Sequence, residues 1–405
     1  MIAWSEEQLA FQAAVRRFIE AEIVPNLEEL EHGDTPPYEV LRKLYDTFGI
    51  AEMQRARFKS LMKQDGAEKA AAPTEEREGS GETLAMQLIL TLELSRYCPG
   101  MVTAMGVSVG LTSAAILGRG TRAQKERWAL PLLTFEKIGA WAITEPGSGS
   151  DAFGGMRASA RRDGEGGYIL NGNKTFITNG PFADTIVFIC KLDDGSEPKD
   201  RKLLSFVLDR GTPGLTQSKP LRKMGLHSSP TGELHLQDVH ASADQLLGES
   251  EDAYGRSGAK QTFGMERAGV VSMALGIVGR CLELCVEYAR EREQFGRPIG
   301  EFQLIQLKLA KMEVARMNLQ NLLFRQIELA QHSQRMSFAE ASACKLYAAQ
   351  TAMEVALEAV QLFGGNGYMA EYQVEQLCRD AKVLQIYGGT DEIQITQIAR
   401  DLLSR

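Results

Sequence analysis

The sequence is poor in the residues that build metal and disulfide sites. Its six cysteines, Cys98, Cys190, Cys281, Cys285, Cys344 and Cys378, form no Cys-x-x-Cys pair and no grouping with histidine. They read as reduced, mostly buried thiols. Cys281 and Cys285 lie one helical turn apart, the spacing of a shared helix face. The five histidines are scattered, with no His-Glu-x-x-His, so no metal site is expected. No Gly-x-Ser-x-Gly elbow is present, which removes the serine hydrolase reading. Cations are in deficit, with 45 Lys and Arg against 53 Asp and Glu and a net charge of −8. Phosphate-backbone binding needs clustered cations, so nucleic acid is not an expected partner. No unbroken apolar run reaches the roughly 18–20 residues that span a bilayer, and no membrane association is expected. The start, MIAWSEEQLAFQ, lacks a basic segment followed by an apolar one. With the reduced thiols, this gives the expectation of a cytoplasmic protein without a signal peptide.

What is present is a change of period along the chain. Ser5 and Gln8 have capping-box spacing, and Leu9, Val15, Phe18, Ile19 and Ile23 continue a helical stripe up to Pro25. A second helix is predicted from Pro36-Pro37 to Gly49. Residues 54–82 are charged, Ala-rich and nearly free of aromatics, which predicts a mobile surface loop or insertion with room for a short helix. Helical pattern returns over Leu84–Tyr97, around Val107–Leu117 and from Thr121. Near residue 138 the period becomes strand-like, with short β-prone runs at Trp141–Ile143, Tyr168–Leu170, Phe176-Ile177, Ile186–Ile189, Leu203–Val207 and Leu234–Leu236. Asn171-Gly172 reads as the turn of a hairpin between two of them. From Gln261 the pattern is helical again, with long apolar runs over Met265–Arg292, Gln303–Gln331 and Phe338–Phe363 and a last one over Asp391–Leu403. The predicted fold is therefore α+β: an N-terminal helical domain (1–136), a middle β-sandwich or barrel (137–246) and a C-terminal helical bundle (247–405).

Two stretches carry the candidate chemistry. Ala140–Ser150, AWAITEPGSGS, ends an apolar run at Thr144 and passes through Glu145-Pro146 into glycines that admit a ligand close to the backbone. Phe176–Gly180, FITNG, is a second polar-tipped strand end. Together they suggest the walls of a flat aromatic cofactor site. Gly147–Ala152 formally fits the dinucleotide fingerprint G-x-G-x-x-G/A. Pro146 before it and Gly154-Gly155 after it leave no helix to follow, so a nucleotide-fold reading is rejected.

Four segments in order, AITEPGSGSDAFGGM, YILNGNKTFITNG, YAREREQFGRPIGEFQLIQ and VQLFGGNGYMAEYQVEQLCRDAKVLQIYGGTDEIQ, resemble the acyl-CoA dehydrogenase family over nearly the whole chain. The resemblance implies the same α–β–bundle architecture, with its four-helix C-terminal bundle, and an FAD held between the β-domain and the bundle. It places Trp141, Ile143 and Thr144 on one side of the flavin ring and Phe176 and Thr178 on another; many relatives have Trp where Phe176 stands. Arg292, Phe295 and Gln303 match residues that hold the adenine–pyrophosphate end of a neighbouring subunit's FAD. Gln361, Gly364 and Gly365 match the glycine turn supplied by the opposing subunit, and Gly389 and Thr390 complete the cofactor set. A forked arginine donor and exposed backbone N–H groups suit a pyrophosphate. Such sharing implies a homodimer at least and usually a homotetramer, a dimer of dimers.

The implied reaction is α,β-dehydrogenation of an acyl-CoA thioester in fatty acid metabolism, with electrons passed to an electron-transferring flavoprotein. It requires a carboxylate base whose pKa rises when the acyl chain excludes water. Many relatives place that base in Tyr-Glu-Gly-Thr. Here the motif is Tyr387-Gly388-Gly389-Thr390, and Gly388 has no acid–base function. Isovaleryl-CoA and long-chain members carry the glutamate on a bundle helix before an arginine, which matches Phe263-Gly264-Met265-Glu266-Arg267. Glu266 is the candidate base, in preference to Asp391 and Glu392. Phe263, Arg267 and Gly388 are candidate substrate contacts, with Ser150 near the thioester and pantetheine and Arg400 near the adenine. Glu145, beside Pro146 in a turn, is given no catalytic part. Small residues in Met101–Leu111 suit a branched or longer acyl chain. Competing expectations are an acyl-CoA oxidase or a desaturase of a carrier-protein-bound acyl group, and a non-catalytic flavin-binding relative.

Overall fold

The structure is a computed structural model that describes residues 3–64, 80–252, 255–334 and 336–404; side chains at 64, 80, 255–266 and 268 lie outside that description. The N-terminal third is helical: Glu6–Glu22, Leu27–His32, Tyr38–Thr47, Ile50–Gln64, Ser80–Ser95 and Pro99–Gly106, the last running through a π-helical turn, Val107–Thr112, into Ser113–Arg119. The first helix starts where its capping box predicts. Ser5 Oγ accepts from Gln8 N at 3.2 Å and Gln8 Oε1 from Ser5 N at 3.0 Å, which satisfies donors that the first turn leaves open. Thr121 and Gln124 repeat the device. Residues 54–64 continue a helix and Ser80 begins another, so the predicted loop is shorter than 54–82; the remainder, 65–79, lies outside the described residues. Here arginine and lysine stems extend a helix whose Phe58 and Met62 are buried, a case of local packing overriding a charged composition.

The middle segment forms one seven-stranded sheet from β1 (Gly139–Ala142), β2 (Ser159–Arg162), β3 (Tyr168–Thr178), β4 (Thr185–Leu192), β5 (Leu203–Asp209), β6 (Leu215–Gln217) and β7 (Thr231–Ala241). The order is β1-β4-β2-β3-β7-β6, with β5 on β4. β1 and β2 run parallel to β4 along one edge, and β5 covers its other edge antiparallel. Every residue of β4 is buried, as expected of a strand covered on both faces. The predicted hairpin at Asn171-Gly172 is not formed. Tyr168–Thr178 is a single strand along β7, and Asn171-Gly172 is a register shift within it. Gly172 takes φ 152°, and a Cβ there would stand 2.6 Å from that of Ala158. The pair thus lies opposite a bulge in β7, where Asp238 takes φ 48°, and permits a close approach, another regular use of glycine in a strand.

The C-terminal segment contains Gly255–Glu291, Gln303–Gln331, Phe338–Phe363 and Asp391–Ser404, with a further helix, Gln373–Val383, that the apolar pattern does not single out. Its helices share one buried apolar cluster with the N-terminal helices, from Val15 and Ile19 through Leu94 and Met105 to Val271, Ile277 and Leu377. A second cluster joins the sheet to Ile116, Trp128 and Leu132. Two stretches, Pro99–Arg119 and Gly269–Glu291, reach mean hydropathies of 1.6 and 1.7, long and apolar enough by composition to cross a membrane although neither is an unbroken apolar run. Each is 61% buried within the fold, as core helices are. All six cysteines are free thiols, and Cys281 and Cys285 are both buried along the Gly255–Glu291 helix. Burial pushes the Cys285 thiol up to about 12.

Candidate active site

The first wall is built where β1 ends beside β3, although the two strands are not sheet neighbours. Thr175 N donates to Thr144 O at 3.0 Å, and Lys174 Nζ donates to Ile143 O at 3.0 Å and to Glu145 Oε1 at 2.8 Å. Glu145 also accepts from Arg157 N at 2.7 Å and Ala158 N at 3.0 Å, which closes the glycine-rich loop back on itself. Lys174 and Glu145 are both buried. Desolvation holds the Lys174 ammonium below its ordinary pKa, opposed by the Glu145 carboxylate. Trp141 and Ile143 are buried and Thr144 half-buried at this end. Gly147-Ser148-Gly149 forms a turn closed by Glu145 and Ser148 backbone bonds, with no helix after it, and Ser150 is exposed on it.

Beside it on β3 stands Phe176, a non-glycine residue at φ 56° whose ring is 69% exposed. It occupies a second register shift of β3, between Lys174 and Ile177. A bulky residue held left-handed with its ring in solvent is strained, and such strain concentrates at binding sites. Thr178, half-buried, ends the strand. Asn179 then turns the chain at φ 63° with its side chain fully used: Tyr38 Oη donates to its Oδ1 at 3.0 Å, and its Nδ2 donates to Ala104 O at 2.8 Å and Gly139 O at 2.9 Å. The edge bearing Phe176 and Thr178 is thereby tied to β1 and to two N-terminal helices.

The bundle supplies a second element, the turn Tyr387–Thr390, in which Gly388 and Gly389 take φ 63° and 92°. Its carbonyls are gripped from three helices. Arg267 Nε donates to Gly388 O at 3.3 Å, Lys345 Nζ to Gly389 O at 2.9 Å, and Gln394 Nε2 to both at 3.1 and 2.7 Å. Arg267 is buried, bonds Ser342 Oγ at 2.9 Å and lies over the Phe338 ring at 4.1 Å. Its described contacts hold the Gly388 turn. The side chains of Glu266 and Phe263 lie outside the described residues, on the Gly255–Glu291 helix. Asp391, one rival carboxylate, faces Lys345 Nζ at 3.5 Å; Glu392 is exposed.

The remaining predicted contacts form an exposed rim. Arg292, Phe295 and Gln303 are exposed at the end of one helix and the start of the next. Phe295-Gly296, at φ 56° and 77°, is the two-residue turn joining β8 (Glu293–Gln294) to β9 (Arg297–Pro298), and the Phe295 ring is 94% exposed. Gln361, Gly364 and Gly365 are exposed at another helix end, where a Cβ on either glycine would meet nothing within 4 Å. Arg400 is exposed on the last helix. Lys174, Lys345, Asn179 and Gln394 are absent from the sequence-derived set. Lysine in an apparent turn, and lysine, asparagine and glutamine in ordinary polar positions, give no pattern that distinguishes buried from exposed. A period-2 reading carried through Asn171-Gly172 is the one signal that could have brought Lys174 inside.

Comparison with known proteins now identifies the class. Family models described as acyl-CoA dehydrogenase N-terminal, middle and C-terminal domains match residues 50–136, 140–239 and 254–403. The chain belongs to the acyl-CoA dehydrogenase family. It is 39% identical over 318 residues to the short-chain-specific acyl-CoA dehydrogenase of Megasphaera elsdenii, covering 78% of this chain and 81% of that one. The structure of butyryl-CoA dehydrogenase from the same organism superposes with a TM-score of 0.85 at 34% identity, over 100% of both chains. An acyl-CoA dehydrogenase of Bacillus anthracis complexed with FAD gives 0.82 at 29% identity, over 99% of this chain and 67% of that one.

The protein is thus an FAD-dependent acyl-CoA dehydrogenase, an oxidoreductase, whose particular acyl chain these likenesses do not specify. Acyl-CoA substrates and an electron-transferring flavoprotein are typical of the family. The residues present fit FAD. An exposed aromatic is held against its preferred backbone at one wall, and the glycines at 147, 149, 364 and 365 leave open space where side chains would stand.

Proposed function

We propose that the site described above dehydrogenates a branched or longer acyl-CoA, with Glu266 as the base, and that FAD is shared between subunits of a homotetramer that passes electrons to an electron-transferring flavoprotein. FAD supplies the two-electron acceptor that takes the β-hydrogen as hydride. The chain's own contribution begins with Trp141, Ile143, Thr144, Phe176 and Thr178, which would orient the ring, while Gly389 and Thr390 approach from the bundle. Glu266, on the helix that also carries Arg267, would take the α-proton on a carboxylate oxygen as the α,β double bond forms. Desolvation by the bound acyl chain raises the affinity of that carboxylate for the proton. Ser150 on the glycine-rich turn and Arg400 on the last helix would meet the CoA portion.

The observation that carries the assignment of the base is the Tyr387–Thr390 turn. Gly388 stands where the commoner glutamate would be, at φ 63°, and Arg267, the residue next to Glu266, is bonded to its carbonyl. The helix that carries Glu266 therefore touches that turn through Arg267. A branched chain is supported by Gly106, just before the π-helical turn, and Gly110, within it, where a Cβ would meet nothing within 4 Å. Shared FAD and assembly are supported by the rim, where Phe295 and Tyr368 are exposed, and by Leu304, Leu307, Val314 and Met317 exposed along the Gln303–Gln331 helix. An apolar stripe of this kind marks an interaction surface.

The test is Glu266→Gln under anaerobic titration with short, branched, medium and long acyl-CoAs. The variant should keep yellow bound flavin and lose its bleaching by at least about a thousandfold, the scale of removing a general base. Near-parental bleaching would refute the assignment.

A further inference from the structure

We infer that Lys174 and Glu145 act as a positioning pair for the flavin-facing wall, fixing three binding segments relative to one another. This rests on the placement of the cofactor site proposed above. The pair joins neighbouring parts of the chain that no sheet ladder joins. β1 and β2 lie along the same edge of β4, and β3, paired with β2, continues beside the end of β1 without a ladder joining the two. Ile143, just after β1, and Phe176, on β3, must face the same ring. The cross-link between them is the Thr175 N to Thr144 O bond and the two Lys174 bonds, to Ile143 O at 3.0 Å and Glu145 Oε1 at 2.8 Å. Glu145 extends the link to a third segment. Its two oxygens accept from Arg157 N and Ala158 N, so the intervening loop, which carries Ser150, is closed by the carboxylate that holds the lysine.

The arrangement is more specific than a core needs. Lys174 has no exposed side-chain surface, and its ammonium lies 5.3 Å over the Phe188 ring. A buried ion pair is weak evidence for stability, since apolar residues of the same volume often serve equally well. Its use here is geometric. Lys174 is two residues before Phe176 and directly precedes the register shift that points that ring outward. Charge-assisted bonds are short and directional, and a displacement of about 1 Å in a positioning shell is enough to cost function. Burial also holds the ammonium below its usual pKa while Glu145 opposes that shift, which is consistent with a charged pair in a dry setting.

The test compares Lys174→Met, Glu145→Gln, the double variant and Lys174→Arg, reading FAD dissociation constant, bound-flavin fluorescence and flavin reduction potential, with Thr178→Val as the control for the site itself. Lys174→Met is expected to weaken FAD binding at least tenfold and to shift both the potential and the fluorescence. The double variant should be no worse than Lys174→Met, because the two residues act as one unit, and Lys174→Arg should restore part of the affinity. A purely structural pair would lower the unfolding temperature of Lys174→Met and leave FAD affinity, potential and fluorescence at parental values, and that result overturns the proposal. If Lys174→Met does not fold, Glu145→Gln decides, and parental flavin properties there overturn it equally. Should Thr178→Val also leave FAD binding unchanged, the cofactor-site assignment has failed; should it weaken binding while Lys174→Met does not, only the positioning pair has failed.

Discussion

Replacing Glu31 by Gln should remove a pH-dependent weakness from the junction of the three segments. Glu31 is buried on the Leu27–His32 helix and faces Cys98 Sγ at 3.8 Å, with Ser228 alongside and the wholly buried Asp380 across from it. Arg379 gives partial relief, and His227 bonds the Glu31 carbonyl at 2.6 Å and lies 6.2 Å from the ring of His32. Burial, then the Asp380 charge, push the Glu31 carboxyl from 4.5 up to about 8, and burial pushes Asp380 up as well. The folded state therefore keeps a proton that the unfolded chain has already released. Stability from this group is complete below the unfolded pKa and is lost as pH rises from 4.5 towards 8. At about 1.4 kcal/mol per unit the loss is at most about 5 kcal/mol. With an unfolding entropy of about 2.1 cal/mol/K per residue, that corresponds to roughly 6 °C in unfolding temperature for a chain of this length. Lys223 has the opposite slope, since burial lowers its ammonium to about 8 and the cost of charging it fades as pH rises towards 10.5. The parent should thus be least stable near pH 8. The assay is the unfolding temperature of FAD-loaded parent and Glu31→Gln between about pH 5 and pH 10, where flavin and assembly effects common to both cancel. The two should nearly coincide at the acid end, and the variant should stand several degrees higher near the parent's minimum. Parallel curves, or a variant less stable than the parent near that minimum, would refute the reasoning.

Two substitutions separate strain from function. Phe176→Gly relieves a left-handed non-glycine residue, so the apoprotein should gain about 1 kcal/mol in denaturant unfolding while its affinity for FAD falls; unchanged FAD affinity would count against a flavin-facing ring. Phe295→Asn places Asn-Gly in a two-residue turn that favours it, so subunit unfolding should be unaffected or improved. Sedimentation should show a smaller assembly with weakened FAD binding, and a parental mass would argue against Phe295 at a subunit interface.

Much of the fold was legible because its signals are local. Ser5 with Gln8 and Thr121 with Gln124 start helices where their spacing says, and the apolar runs of the bundle are long enough to exceed any strand. The errors occur where one local signal serves two structures. Asn171-Gly172 suits a two-residue turn and also a strand position facing a bulge, and only the partner strand β7, bulged at Asp238 with its N bonded to Asn171 Oδ1 at 2.9 Å, selects the second. Once that strand is continuous, Lys174 moves from a presumed turn to the interior and Glu145 acquires a buried partner. The same reason limits the site. Residues that would touch the ligand are visible as motifs, whereas those that hold them, Lys174, Asn179, Lys345 and Gln394, are ordinary polar residues whose importance lies in backbone carbonyls they reach across the fold. Arg267 shows the consequence. Its place in the motif beside Glu266 suggests a substrate contact, and the motif gives no sign of its bond to Gly388 O across the fold. The Tyr387–Thr390 turn thus combines glycines that lack a side chain with buried cations that hold their backbone in place, and a sequence pattern records the first of these but not the second.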